Sequence, residues 1–322
     1  MALAILHALS AVFLDLNGDE AYYWMFGQHL DLGYFDHPPG IAFLAKLSGF
    51  LPGNHFVFRL PALLLGVLGH LILGQVVLER KWNLENFLIA YWVLPVFHLF
   101  GFVMTPDAPM LFFTSVFIWL IHKYDQRGWT WHWIIYALVL AAMVYSKYQG
   151  AIVLMLALLP WKRFWNWKFL GFTACAVLLV VPHLLWLNDN NWVTFDYHLS
   201  GRSTGFDPEN VLMFIVGQAI ILNPYLLSRW VQYGKKEEDV LVRMSQRVII
   251  GMFIFFLIAS FKGRAEIHWT SASSIFLAMI FSQLRWKEKW HRVPVVAALL
   301  ILGVLHFGVW VNPVNSVTFS AK

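Results

Sequence analysis

The stretch FRLPALLLGVLGHLILGQVVL, residues 58–78, carries one charge, Arg59, near its start and is followed at once by Glu79-Arg80-Lys81. A spanning helix needs roughly 20 mostly apolar residues, so this stretch predicts a membrane crossing rather than a core helix of a soluble domain. Working outward, further crossings are predicted at 2–16, 86–104, 108–122, 131–146, 149–160, 168–187, 209–230, 247–261, 269–284 and 293–310. The expected fold is therefore all-α and polytopic, with about eleven transmembrane helices. The near-continuous run 131–160 must break at Ser146-Lys147-Tyr148-Gln149-Gly150 to hold two of them.

Composition demands the same class. Of 322 residues 59% are hydrophobic and 13% charged, and the mean hydropathy is +0.62. A soluble globule carries about 25% charged residues. Disorder, a coiled coil and a disulfide-rich secreted module are excluded, the last because Cys175 is the one cysteine. The formal charge of +5 does not point to nucleic acid, because the basic residues fall in short clusters between apolar runs. Those clusters orient the chain. Sixteen of the 23 Lys and Arg fall in the loops assigned to the cytoplasm and seven outside, which predicts an N-in, C-out protein. Trp161, Trp165, Trp167, Trp286 and Trp290 flank such clusters, as aromatic rings do at a headgroup interface. The first run lacks a basic n-region and reads as a retained helix rather than a signal peptide. One domain, 1–322, is expected, with no separate C-terminal soluble domain.

The outer loops carry the candidate chemistry. Asn17-Gly18-Asp19-Glu20-Ala21-Tyr22-Tyr23-Trp24 places two carboxylates at the outer end of the first span. They serve either as a helix cap, with Asp19 in the turn, or as groups lining a polar cavity. Asp31-Leu32-Gly33-Tyr34-Phe35-Asp36-His37-Pro38-Pro39-Gly40 is a proline-fixed turn, followed by an amphipathic surface helix from Ile41 to Leu51. His37 is either a substrate contact or a turn histidine. Thr105-Pro106-Asp107-Ala108-Pro109 puts Asp107 on the same membrane face as Asp19, where two carboxylates suit general-base and orienting roles. Lys147, Arg202, Lys262, Arg264 and His268 are outer groups that either meet lipid headgroups or hold a phosphate, and Glu266 is a candidate partner of Arg264. No metal-ligand spacing, phosphate loop or dinucleotide fingerprint is present in the sequence. The pattern assigns no definite cofactor, and a divalent ion on Asp19 and Glu20 is compatible with it.

These elements, together with Arg59-Leu60-Pro61, Ser146-Lys147-Tyr148 and His268-Trp269, occur in one order along most of the chain. In that order they resemble the GT-C membrane glycosyltransferases, in the group of the protein O-mannosyltransferases and the lipid A aminoarabinose transferase. The resemblance implies inverting transfer of a monosaccharide from a polyprenyl-phosphate donor to an acceptor lipid, glycan or protein. The implied setting is the periplasmic face of a bacterial inner membrane. It implies Asp19 as general base, Glu20 as its neighbour in the acidic pair, and Asp107 as a second essential carboxylate. Tyr22, His37, Arg59, Lys147, Arg202, Lys262, Arg264 and His268 are the implied substrate contacts, with membrane lipids and a polyprenyl-phosphate sugar as partners. The alternative is a transporter or flippase of lipid-linked saccharide. It is disfavoured because the polar residues gather on one face and no internal repeat is visible.

Overall fold

A computed structural model describes residues 2–49, 54–128, 133–159, 166–203, 205–233 and 239–283, with 295–296, 299–300 and 303. Among the described residues the chain is helical, with no strand. Helix α1 (Ala2–Phe13) turns through 83° into α2 (Gly18–Gln28), and α3 (Gly40–Ser48) follows the Pro38-Pro39 turn. Next come α4 (His55–Glu79), α5 (Leu84–Val93), α6 (Pro95–Leu99), α7 (Asp107–Arg127), α8 (Trp133–Ser146), α9 (Gln149–Leu158) and α10 (Trp167–Asp189). A short α11 (Val193–Asp196) runs into one wide turn at Tyr197–Gly201. Then α12 (Pro208–Leu222), α13 (Pro224–Tyr233), α14 (Val240–Ser260), a tight turn at Ile267–Thr270 and α15 (Ala272–Phe281) complete the described path.

By length and composition α4, α10 and α14 are long and apolar enough to cross a bilayer. Their outward faces are also apolar. Leu64, Leu68, Leu71 and Leu78 of α4, and Ile250, Ile254 and Ile258 of α14, recur at helical spacing and are exposed. Such stripes would be untenable in water and suit lipid. Helix α15 is the inverse case, because all ten of its residues are buried. A helix that is apolar all round belongs inside a bundle.

Several predicted crossings are not single helices. The 86–104 run breaks at Leu94-Pro95, because proline has no N–H for the ladder and restarts the helix as α6. The 209–230 run breaks at Asn223-Pro224, where Asn223 takes φ +58° and α13 leaves at 81° to α12. The Lys147-Tyr148 break between α8 and α9 is present as expected. The surface helix expected at 41–51 is α3, ending at Ser48. Most of the 293–310 run lies outside the described residues.

The ends of α4 define two poles, roughly 37 Å apart at 1.5 Å per residue. At one, Arg80 donates to His122 and Asp125 and pairs with Asp239, while Lys123 and His122 meet Glu79. These contacts tie together α4, the end of α7 and the start of α14. At the other pole, Arg59 lies among the acidic motifs.

Candidate active site

Helix α2 starts with a reciprocal cap. Asn17 Oδ1 accepts from the Glu20 backbone N–H at 2.9 Å, and Glu20 Oε2 accepts from the Asn17 N–H at 3.2 Å. The cap is thus Asn17, not Asp19. Glu20 is fully buried and faces Arg59, whose Nε donates to Oε1 at 2.8 Å and whose Nη2 donates to Oε2 at 2.5 Å. The other guanidinium hydrogens go to the carbonyls of Ala11, Leu14 and Asp15. A guanidinium has five N–H donors, and all five are used. Arg59 therefore has none left for a phosphate. Glu20, which also accepts from Met104 N–H at 3.1 Å, has no oxygen free for catalysis. The expected catalytic Glu20 and substrate-binding Arg59 are instead the joint between α1, α2 and α4. Both Glu20 oxygens are taken by protein donors, so Glu20 does not present a free oxygen beside Asp19.

With Glu20 turned inward, Asp19 is exposed, and it has no hydrogen bond or ion pair among the described residues. Its charge acts on Tyr23, Asp36 and His268, which places it at the rim of a polar cluster. At the centre of that cluster are Asp107, which opens α7, and Lys147, from the α8–α9 break. Lys147 Nζ donates to Asp107 Oδ2 at 2.7 Å, and Ser271 Oγ donates to Oδ1 at 2.6 Å. Burial pushes the Asp107 carboxyl upward, but the Lys147 ammonium, then His268 and Ser271, outweigh it and hold it below the usual carboxylate range. Lys147, expected among the outer cations that meet lipid headgroups or hold a phosphate, is accordingly the partner of Asp107.

The first outer loop closes one side. Tyr22 Oη donates to Asp36 Oδ1 at 3.0 Å, and Tyr23 Oη meets His37 Nε2 at 2.9 Å. Burial, and next the Lys147 charge, hold His37 down at about 3, so its imidazole is neutral across the working range. Burial pushes Asp36 up and the Tyr23 phenol up, the latter helped by Asp19, Asp36 and Asp107. Three side chains from 183–198 fasten this loop through alternate carbonyls: His183 to Leu32 O at 2.7 Å, Thr194 to Tyr34 O at 2.9 Å, and His198 to Asp36 O at 3.0 Å. Gly33 is required there, because a Cβ would overlap the Trp186 indole.

Beyond His198, Arg202 pairs with Glu266 and lies over the Trp269 ring at 5.0 Å. The partner of Glu266 is thus chiefly Arg202, with Arg264 Nε farther off at 3.5 Å. Arg264 is 76% exposed, and Lys262 is exposed. His268 sets its ring at a tilt to that of Phe100, and burial together with Lys147 holds it below its usual range.

The structure therefore brings Asp19, Tyr22, His37, Asp107, Lys147 and His268 into one cluster, places Arg202, Lys262 and Arg264 at its edge, and removes Glu20 and Arg59 to a joint beside it. Tyr23, Asp36, His198 and Ser271 belong to it although the motifs did not single them out. For Ser271 the available signal is the run Thr270-Ser271-Ala272-Ser273-Ser274, small hydroxyls in an otherwise apolar span beside His268. Among the described residues no group of three or more His, Cys, Asp or Glu is arranged to hold a metal ion.

The family model described as dolichyl-phosphate-mannose-protein mannosyltransferase matches residues 36–186. Lipid A galacturonosyltransferase RgtD of Rhizobium johnstonii is 25% identical over 85% of this chain and 62% of its own length. The lipopolysaccharide core galacturonosyltransferase RgtA of the same organism is 27% identical over 55% of this chain and 38% of its own. Among solved structures, ArnT from Cupriavidus metallidurans superposes with a TM-score of 0.67 in the apo state, at 15% identity, over 95% of this chain and 63% of ArnT. The undecaprenyl-phosphate-bound form of ArnT gives the same score at 14% identity, over 96% of this chain and 70% of ArnT. The chain has the ArnT fold and spans about three fifths of the length of RgtD.

Proposed function

We infer that this chain is a GT-C membrane glycosyltransferase of the group that holds the protein O-mannosyltransferases and the lipid A aminoarabinose transferase. Its reaction is transfer of a monosaccharide from a polyprenyl-phosphate donor to an acceptor hydroxyl or phosphate, on the periplasmic face of a bacterial inner membrane. The observation that carries this reading is the contrast between two carboxylates: Asp19, exposed and without a hydrogen bond or ion pair among the described residues, and Asp107, buried on Lys147 and Ser271.

A general base must reach the acceptor with a free carboxylate, and Asp19 meets that need. It takes the proton of the acceptor hydroxyl as the acceptor oxygen attacks the anomeric carbon. The bond from that carbon to the phosphate oxygen breaks on the opposite face, so the configuration inverts in one displacement. Negative charge then grows on the departing polyprenyl phosphate. The positive edge of the cluster, Arg202, Lys262 and Arg264, with the remaining Lys147 N–H donors and His268, stabilises it. Asp107 keeps the Lys147 charge in place rather than acting as a base.

The test is donor cleavage by purified protein in lipid nanodiscs, supplied with polyprenyl-phosphate sugars and candidate acceptors, beside Asp19→Asn. Acceptor-dependent release of polyprenyl phosphate that Asp19→Asn abolishes supports transfer. Lipid movement without cleavage across all donors overturns it.

A further inference from the structure

His37 is held at both ends. Its backbone carbonyl accepts from Tyr34 N–H at 3.0 Å, and the carbonyl before it, that of Asp36, is fixed by His198. With the backbone pinned, the remaining variable is which ring nitrogen carries the proton. Nε2 faces Tyr23 Oη at 2.9 Å, and Asp36 Oδ2 at 3.6 Å is too far from it for a hydrogen bond. Nδ1, on the other side of the ring, has no protein partner among the described residues, and it is not one of the sealed-off polar atoms.

The Tyr23 hydroxyl decides between the two tautomers. It is buried, and His37 is its only hydrogen-bond partner among the described residues. If it accepted a proton from Nε2–H, its own O–H would be a buried donor without an acceptor, which costs about 1–3 kcal/mol. If it donates to Nε2, both groups are satisfied, and the single ring proton sits on Nδ1. We propose that Tyr23 is a positioning residue that locks His37 as its Nδ1–H tautomer, and that this accessible N–H is a neutral hydrogen-bond donor to an oxygen of the phosphosugar.

Neutrality has a chemical use here. The Lys147 ammonium and the Asp107 carboxylate already lie within electrostatic reach of His37. A further fixed cation would hold the departing phosphate more tightly than the intact donor and slow its release. A neutral N–H orients an oxygen without that penalty.

This inference rests on the transferase reading, so its test has a readout independent of turnover. Full-length protein labelled with 15N-histidine is studied by NMR in nanodiscs, the His37 signal being assigned by its loss in His37→Asn. Wild type should show a neutral imidazole protonated on Nδ1, and Tyr23→Phe should shift it to the Nε2–H form or a mixture. Undecaprenyl phosphate is then titrated in. Binding about tenfold weaker in Tyr23→Phe places the contacted oxygen on the phosphate, and unchanged binding with an equal rise in KM for the sugar-loaded donor places it on the sugar. His37→Asn, whose amide nitrogen lies near the Nδ1 position, should retain more activity than His37→Gln. An Nε2–H or doubly protonated His37 in wild type, or a tautomer indifferent to Tyr23→Phe, overturns the proposal. The predicted tautomer in a protein that cleaves no donor would sink the transferase reading and leave the lock standing.

Discussion

Lys147 donates to Asp107 across 2.7 Å with both side chains almost sealed from solvent, 4% and 3% exposed. The two residues come from different breaks in the bundle, the start of α7 and the gap between α8 and α9, and Ser271 brings the start of α15 to the same carboxylate. Removing one member leaves a buried charge with no counter-ion. Asp107→Asn or Lys147→Met should each lower stability by about 3–5 kcal/mol, and the double variant should recover much of the loss. Thermal unfolding in detergent checks this; single losses that simply add would contradict the pairing.

Asp19→Asn removes an exposed carboxylate that makes no hydrogen bond or ion pair among the described residues. The melting temperature should stay within a degree or two of wild type, a shift of the size surface substitutions give, while the transfer rate falls by about 10²–10⁴. A large fall in melting temperature would mean that Asp19 is structural.

Arg59→Lys keeps the charge but has three donors where five are used. It should leave carbonyls of α1 and part of Glu20 unpaired, at about 2–4 kcal/mol in stability. Activity should drop with stability and return under conditions that restore folding. A soluble, stable Arg59→Lys protein with weakened phosphate binding alone would return Arg59 to the substrate site.

The His37 imidazole titrates at about 3 in the folded chain against 6.5 ordinarily. As pH falls below about 6.5 the unfolded chain takes up a proton that the folded chain refuses, so stability is lost progressively down to about pH 3. His37→Asn should flatten this part of the profile. Melting curves of both proteins between pH 4 and 7 make the comparison, and parallel slopes would exclude the assignment.

Gly33→Ala forces a methyl into the Trp186 ring. Overpacking of this kind costs about 1–3 kcal/mol and should displace the loop that carries Asp36 and His37. Trimming the indole in Gly33→Ala/Trp186→Leu should restore activity relative to Gly33→Ala alone.

Much of this architecture is legible in the sequence because bilayer thickness imposes a length that apolar runs must meet. The outward leucines of α4 and the break at Lys147 both follow from that rule. The errors arise where a run is apolar but its backbone is interrupted. Pro95 and Pro224 sit inside hydrophobic windows, and hydropathy does not register a missing N–H. The cap was misassigned to Asp19 although Asn17-Gly18-Asp19-Glu20 has the spacing of a reciprocal cap. Glu20 and Arg59 lie 39 positions apart, with no local pattern to pair them. Asp19, Asp107 and Lys147 are recognisable because charge is scarce here, whereas Asp36, though charged, is not singled out. Tyr23, His198 and Ser271 were not, since their roles come from neighbours that only the fold supplies.

Arg59 also has a meaning for heredity and engineering. By taking the carbonyls of Ala11, Leu14 and Asp15 and the carboxylate of α2 in one hand, it makes residues 2–28 and the start of α4 a single unit of assembly. A chimaera that imports the acidic motif from a relative without the matching arginine should fail to assemble. One that moves both together should carry the Asp19–Glu20 pair into a new scaffold intact.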